Sequence, residues 1–227
     1  VVFKRPEIVP NLAQLLSENN LPQIHIAESE KSSHVTYFFD GGRLEAHSGE
    51  EWRIVPSPSI PDFVNRPEMS ARLVSDAIIN SINSDRFNFI VANYANVDVL
   101  GHSGDIRATA AAVEVVDKEV GRVYDVCRQK GFIMIVTADH GNAEQMIRVT
   151  GNDSDGEIVH TINPVPLIMA DGNPKQVNFR NISGDNMLSD ILKSDGTLAD
   201  VAPTILDIFG IPVPSEMTGI SLINRLE

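Results

Sequence analysis

Only one cysteine, Cys127, is present, so no intrachain disulfide can form and a reducing compartment fits best. Long apolar runs are also missing: none approaches the ~20 residues needed to span a bilayer as a helix. Basic residues are scarce, with 18 Lys and Arg against 31 Asp and Glu, a net charge of −13. That balance argues against nucleic acid or an anionic membrane as the main partner, because either needs a surplus of positive charge. An anionic small molecule stays open, since it needs only a local cation. There is no internal repeat and no low-complexity segment. The opening, VVFKRP, has no initiator Met and no basic stretch followed by an apolar core, so it does not read as a signal peptide. The expectation is a soluble, cytoplasmic chain whose N-terminus is cut.

What is present is ordinary globular composition, 42% hydrophobic and 22% charged over 227 residues, enough for one generous domain or two small ones. Short apolar runs alternate with amphipathic stretches, which predicts an α/β fold: a mostly parallel sheet with helices on both faces. Gln23–Ala27, Phe89–Ala92, Phe132–Val136 and Val165–Met169 read as strands. The run from Phe132 is continuous enough to expect cover on both its faces. Helices are expected over Glu7–Asn19, Pro67–Asn83 and Asp105–Lys130. In the last of these, Ala112, Val116, Val120, Val123 and Cys127 line one face, and Gly131 supplies the stop. A final helix opens at Asp200, which can cap it, and Pro203 falls in its first turn. The stretch 172–196 is irregular and reads as a surface excursion.

The chemistry-bearing residues collect after strands, where ligands bind in open α/β sheets. After Phe89–Ala92, a loop to Gly104 carries Asp98 and His102, four residues apart. A helical turn there would aim both at one ion. After Phe132–Val136 come Asp139 and His140. His160 precedes a strand instead, so a loop has to carry it to the site. Each piece alone has a bland reading as a turn former, a surface pair or a core histidine. Together, two Asp and three His make a ligand set for one or two divalent ions, suited to manganese or zinc, with magnesium open. No thiolate belongs to the set, which excludes a zinc finger. Two such ions can stabilise both the attacking and the leaving oxygen of a phosphoryl displacement. Lys31, following the first strand, could neutralise the non-bridging oxygens, or could be a solvated surface lysine.

Four segments resemble the cofactor-independent phosphoglycerate mutases: residues 26–36 (IAESEKSSHVT), 93–104 (NYANVDVLGHSG), 137–146 (TADHGNAEQM) and 160–166 (HTINPVP). Gly49-Glu50, Val55–Pro58, Pro67–Ser70 and Glu216–Gly219 are similar to further segments, in the family's order. Asp-His-Gly alone would indicate only the wider alkaline phosphatase superfamily. The resemblance implies an alkaline-phosphatase-like fold and interconversion of 3-phosphoglycerate and 2-phosphoglycerate through a phosphoserine, in glycolysis and gluconeogenesis. It implies two divalent ions, manganese first, with magnesium, cobalt and zinc as alternatives. Asp98, His102 and His160 would hold one ion and Asp139 and His140 the other, with Lys31 against the transferring phosphoryl group.

The family's opening strand with its Asp and nucleophilic Ser, and its Arg-rich inserted domain, have no counterpart in these residues. Residues 1–227 therefore resemble the C-terminal part of the phosphatase-like domain, with 1–22 as a connecting helix and linker. Ser103, beside His102, does not sit in a nucleophile elbow. The expectations are a chain inactive by itself, the N-terminal half of the same enzyme as partner, and self-association through an uncovered sheet edge. The competing readings are another phosphomutase, phosphatase or sulfatase of the superfamily, or a non-catalytic metal-binding fragment.

Overall fold

In the computed structural model, which describes residues 8–146, 160–170 and 196–223, the chain divides into two units. The first comprises residues 1–130 and 142–159, the second 131–141 and 160–227.

The first unit is organised by β1, Gln23–Glu28, all six of whose residues are buried. It lies between β2, Glu50–Val55, and β3, Phe89–Asn93, and pairs with both in parallel. Gln23 stands level with Glu50 on one side and with Phe89 on the other. The helices are α1 (Leu12–Glu18), the single turn α2 (Ser32–Val35), α3 (Ala71–Asn83), α4 (Asn96–His102) and α5 (Ile106–Lys130). Burial on both faces explains why β1 reads as apolar at Ile24, Ile26 and Ala27. β2 alternates poorly, with only Glu50 and Val55 buried, and was not expected as a strand. It is an outer strand whose Glu51 and Arg53 face solvent, and charge of that kind blunts an edge.

Three helices start later than the sequence reading expects. α1 begins after Asn11, whose side chain accepts the Gln14 N–H at 2.9 Å. That cap, directly after Pro10, sets the helix start. α3 begins at Ala71 because Met69 adopts φ 41°, outside the helical region. α5 begins at Ile106, with Asp105 Oδ1 accepting the N–H groups of Arg107 and Ala108, each at 2.9 Å. The expected apolar line on α5 is only partly buried: Ala112, Val123 and Cys127 are covered, while Val116 and Val120 are half-buried. Glu119 is buried in their place because Arg122 pairs with it (2.5 Å) and with Asp76 on α3 (2.6 Å). Gly131 ends α5 at φ 74°. The expected loop from Phe89–Ala92 to Gly104 is instead largely α4, packed on α5 around Leu100, Ala108 and Ala112.

In the second unit, β4 (Met134–Thr137) pairs with β5 (Leu167–Ala170), Met134 opposite Ala170. This pair is antiparallel, unlike the sheet of the first unit. β4 is half-buried to exposed along its length, so the two-sided cover expected from its apolar run is not seen among the described residues. The last helix, α6 (Val201–Ile208), carries Pro203 in its first turn and ends at Gly210, φ 67°. Asp200 precedes it but caps otherwise than expected. Its carboxylate takes the N–H groups of Thr197 and Ile220, both at 2.8 Å, closing a capping box on a short 3₁₀ turn. The excursion expected over 172–196 lies outside the described residues apart from Gly196.

Ile26, fully buried at the middle of β1, anchors the first unit. Ile26→Ala is expected to cost about 2–5 kcal/mol, read from the midpoint of urea unfolding at unchanged slope.

Candidate functional site

β1 and β3 run in parallel, so the turn after β1 and the helix after β3 emerge at the same end of the sheet. After β1, a 3₁₀ turn over Ser29–Lys31 reverses the chain and brings the Lys31 side chain inward, only 12% exposed. It is therefore no solvated surface lysine: its Nζ hydrogen-bonds to Asp98 Oδ2. After β3, α4 sets Asp98 and His102 one turn apart on one face, His102 Nε2 lying 3.2 Å from Asp98 Oδ1.

Asn142 completes the group. Its Nδ2 donates to Asp98 Oδ1 at 2.8 Å. The same carboxylate thus faces an ammonium, an amide N–H and an imidazole. Burial pushes the Asp98 carboxyl up, but the hydrogen bonds from Lys31 and Asn142 and the charges of Lys31 and His102 outweigh it and hold the group down to about 2. Asp98 is thereby an anion at any physiological pH.

Asn142 belongs to the DHGN segment but was assigned no role from the sequence. The signal that could have found it is Gly101. A glycine inside a helix costs about 1 kcal/mol relative to Ala, so its presence in α4 calls for a packing reason. The reason is close approach: a Cβ on Gly101 would lie 2.5 Å from Asn142 Oδ1.

In the second unit, Asp139 and His140 follow β4, and His160 lies before β5. Gly141 and Thr161 form an isolated antiparallel bridge, Thr161 N–H donating to Gly141 O at 2.7 Å. Beside that bridge the rings of His140 and His160 stack, centroids 3.5 Å apart and planes within 16°. Asp139 Oδ2 lies 3.6 Å from His140 Nε2, on a half-exposed side chain. Within this unit His160 thus meets His140 beside the bridge.

The donor chemistry fits a divalent cation. In the first unit a permanently ionised carboxylate and an imidazole lie 3.2 Å apart, near the ligand–ligand spacing that bonds of about 2.1 Å produce. In the second, two imidazoles and a carboxylate are adjacent. Mixed nitrogen and carboxylate donors suit manganese or zinc.

Two outcomes are expected in the metal-free chain. Because the folded pKa of Asp98 lies below the unfolded value, its stabilisation is present above the unfolded pKa and disappears as pH falls through about 2. The stability difference between the parent and Asp98→Asn, of order 2 kcal/mol near neutrality, is expected to shrink between about pH 5 and pH 2 in acid-unfolding curves. Separately, Gly101→Ala is expected to displace the Asn142 side chain and destabilise the fold by about 1–3 kcal/mol, checked by denaturant unfolding and a crystal structure of the variant.

A family model described as the Metalloenzyme superfamily matches residues 2–213. The 2,3-bisphosphoglycerate-independent phosphoglycerate mutase of Thermomicrobium roseum is 48% identical over 219 residues, covering 96% of this chain and 40% of that protein. The protein of the same name from Anaplasma phagocytophilum is 44% identical over 224 residues, covering 99% of this chain and 42% of its own length. Among solved structures, a phosphoglycerate mutase of Leishmania mexicana, crystallised at low cobalt concentration, superimposes with a TM-score of 0.77 at 28% identity, over 92% of this chain and 38% of that one. The chain spans about 40% of the length of these curated relatives. It has an alkaline-phosphatase-like α/β fold and belongs to the Metalloenzyme superfamily, aligned almost end to end with cofactor-independent phosphoglycerate mutases.

Proposed function

We propose that these residues supply part of the active site of a phosphoglycerate mutase, an isomerase that interconverts 3-phosphoglycerate and 2-phosphoglycerate in the cytoplasm. The observation that carries the reading is the convergence of Lys31, His102 and Asn142 on the ionised Asp98 at one end of the parallel sheet. Lys31, in the IAESEK segment, and Asp98 and His102, in NYANVDVLGH, lie in two of the segments that carry the family resemblance.

In this reading the family resemblance gives Asp98, His102 and His160 as residues that would hold one divalent ion, and Asp139 and His140 as residues that would contribute to a second. Manganese is the first choice, with magnesium, cobalt and zinc as alternatives. When bound, such ions act as Lewis acids that neutralise charge on a transferring phosphoryl group. The nucleophile is a serine supplied by polypeptide outside residues 1–227, as is the group that clamps the glycerate. The serine oxygen bonds to phosphorus while the bond from phosphorus to the substrate oxygen breaks, the serine hydroxyl's proton passing in net terms to that leaving oxygen and returning in the second transfer. Return of the phosphoryl group to the other hydroxyl of the same glycerate completes the exchange, with no net gain or loss of atoms.

The residues present have definite tasks. Asp98 stays unprotonated throughout, because its carboxyl is held down to about 2. Asn142 orients that carboxylate through Oδ1, and Gly101 leaves the space for it to do so. The Lys31 ammonium, paired with Asp98 Oδ2, would supply positive charge to the non-bridging phosphoryl oxygens. Removing Lys31 would take that positive charge away from those oxygens.

Calorimetric titration of chelator-treated protein with manganese is expected to show saturable binding near one ion per chain, lost in Asp98→Ala. Absence of exchangeable binding in a folded parent would overturn the ligand assignment. A coupled assay is expected to show negligible turnover of 3-phosphoglycerate by residues 1–227 alone, and robust turnover would refute the need for an outside serine.

A further inference from the structure

A second group of ligand-type side chains lies inside the first unit, on elements other than those that carry Lys31 and Asp98. β1 places Gln23 and His25 on the same face, each fully buried, and β2 sets Glu50 beside Gln23 on that face. Asp40, also fully buried, comes from the turns that follow α2. His25, Asp40 and Glu50 offer ligand atoms that all lie within 4.8 Å of one another.

Hydrogen bonding settles how the imidazole is presented. The Gln23 side-chain amide nitrogen donates to Ala13 O at 2.8 Å, so its Oε1 faces His25 Nε2, 3.1 Å away, as an acceptor. His25 Nε2 therefore carries a proton. Phe39 packs edge-on against the ring, centroids 5.0 Å apart. A ring N–H fixed on a carbonyl oxygen is the outer support that metal-binding histidines have.

The other nitrogen, Nδ1, points into a nest of oxygens. Val35 O lies 2.7 Å from it, Glu50 Oε1 3.2 Å and Asp40 Oδ1 3.9 Å. The donors to Glu50 come from outside this nest: the Trp52 indole on Oε1 and the His47 backbone N–H on Oε2. Neither oxygen of Asp40 has a hydrogen-bond donor among the described residues. Val35 O can only accept, so in the metal-free chain Nδ1 carries the proton between them, and the two carboxylates beside it are removed from water. Burial first, then the Glu50 charge and a hydrogen bond from the protonated Asp40 to Glu50, push the Asp40 carboxyl up to about 8, so an anion is poorly tolerated there without a cation. Arg43 eases this, and His47 also faces the cluster. Neither supplies a hydrogen bond to Asp40.

We propose that His25 Nδ1, Asp40, Glu50 and the Val35 carbonyl form a closed structural site for a divalent cation, zinc first. The spacings of 3.2 and 3.9 Å bracket the ligand–ligand distance of about 3.4 Å in a tetrahedron with bonds near 2.1 Å, and the 2.7 Å from Nδ1 to Val35 O, a hydrogen bond in the metal-free chain, would lengthen as the ion displaces the proton. One dication against two carboxylates and a neutral imidazole leaves no net charge. The ion would tie β1, the turns after α2 and the start of β2 into one knot, and with every side chain of the cluster covered it would be loaded as the chain folds. Two protons, one on Nδ1 and one on Asp40, are the competing way to neutralise the cluster.

The test separates this ion from any held by Asp98. Protein carrying Asp98→Ala is unfolded, stripped with chelator, refolded with excess zinc and desalted, and its zinc is counted by mass spectrometry. About one ion per chain is expected to remain, falling by about tenfold when Asp40→Asn is added. Refolding with cobalt(II) instead is expected to give the visible absorption of a tetrahedral ion, also lost with Asp40→Asn. Zinc-free Asp98→Ala protein that folds as well as zinc-loaded protein, or retained zinc that survives Asp40→Asn, would show that protons fill the cluster and overturn the proposal. If Asp40→Asn does not fold, the parent decides the matter: a melting temperature raised by zinc present during refolding supports the site, and an unchanged one refutes it.

Discussion

Everything in the first unit depends on the burial of β1 on both faces. A strand with a neighbour on each side and helices above and below has no freedom of register, because a one-residue slip would exchange its two buried faces. That rigidity is transmitted at once to Lys31, three residues beyond the strand on a 3₁₀ turn, and through the parallel pairing with β3 to α4. Asp98 and Lys31 are 67 residues apart in sequence, yet both are set by the ends of adjacent strands.

The same burial makes polar residues on β1 expensive, and the chain answers that cost in two ways. Gln23 and His25 are satisfied mainly by backbone carbonyls and by each other. Glu28 accepts a hydrogen bond from Ser57 on one oxygen, and burial pushes its carboxyl up. At Asp98 the opposite holds: burial is more than offset by an ammonium, an amide and an imidazole, and the carboxylate stays ionised. Buried carboxylates within one small unit therefore have different protonation tendencies, set by the donors each one meets. That contrast separates a carboxylate that stays ionised from one that burial drives toward its protonated form.

Local sequence carried much of this. Phe89–Ala92 is legible as a strand because its apolar content is continuous, Gln23–Ala27 because the β-branched Ile24 and Ile26 alternate with polar residues, and α5 because its apolar positions recur at helical spacing. Asp98, His102, Asp139, His140 and His160 stand out because carboxylate and imidazole residues cluster after or beside strands. β2 was not legible: Glu50, Glu51 and Arg53 resemble a solvated loop, and only pairing with β1 makes them a strand. Helix starts slipped by a few residues where a cap or a positive φ, neither visible as periodicity, set the boundary.

By itself, then, the sequence determined the α/β class, the family and the residue types gathered for metal chemistry, because these rest on composition, spacing and motif. Tertiary structure alone decided that Lys31 is inward and paired with Asp98, that Asn142 orients the same carboxylate against Gly101, and that His25, Asp40 and Glu50 meet in the core. Those facts depend on which strand neighbours which, and strand order is fixed by burial and backbone pairing between segments that the linear chain keeps far apart.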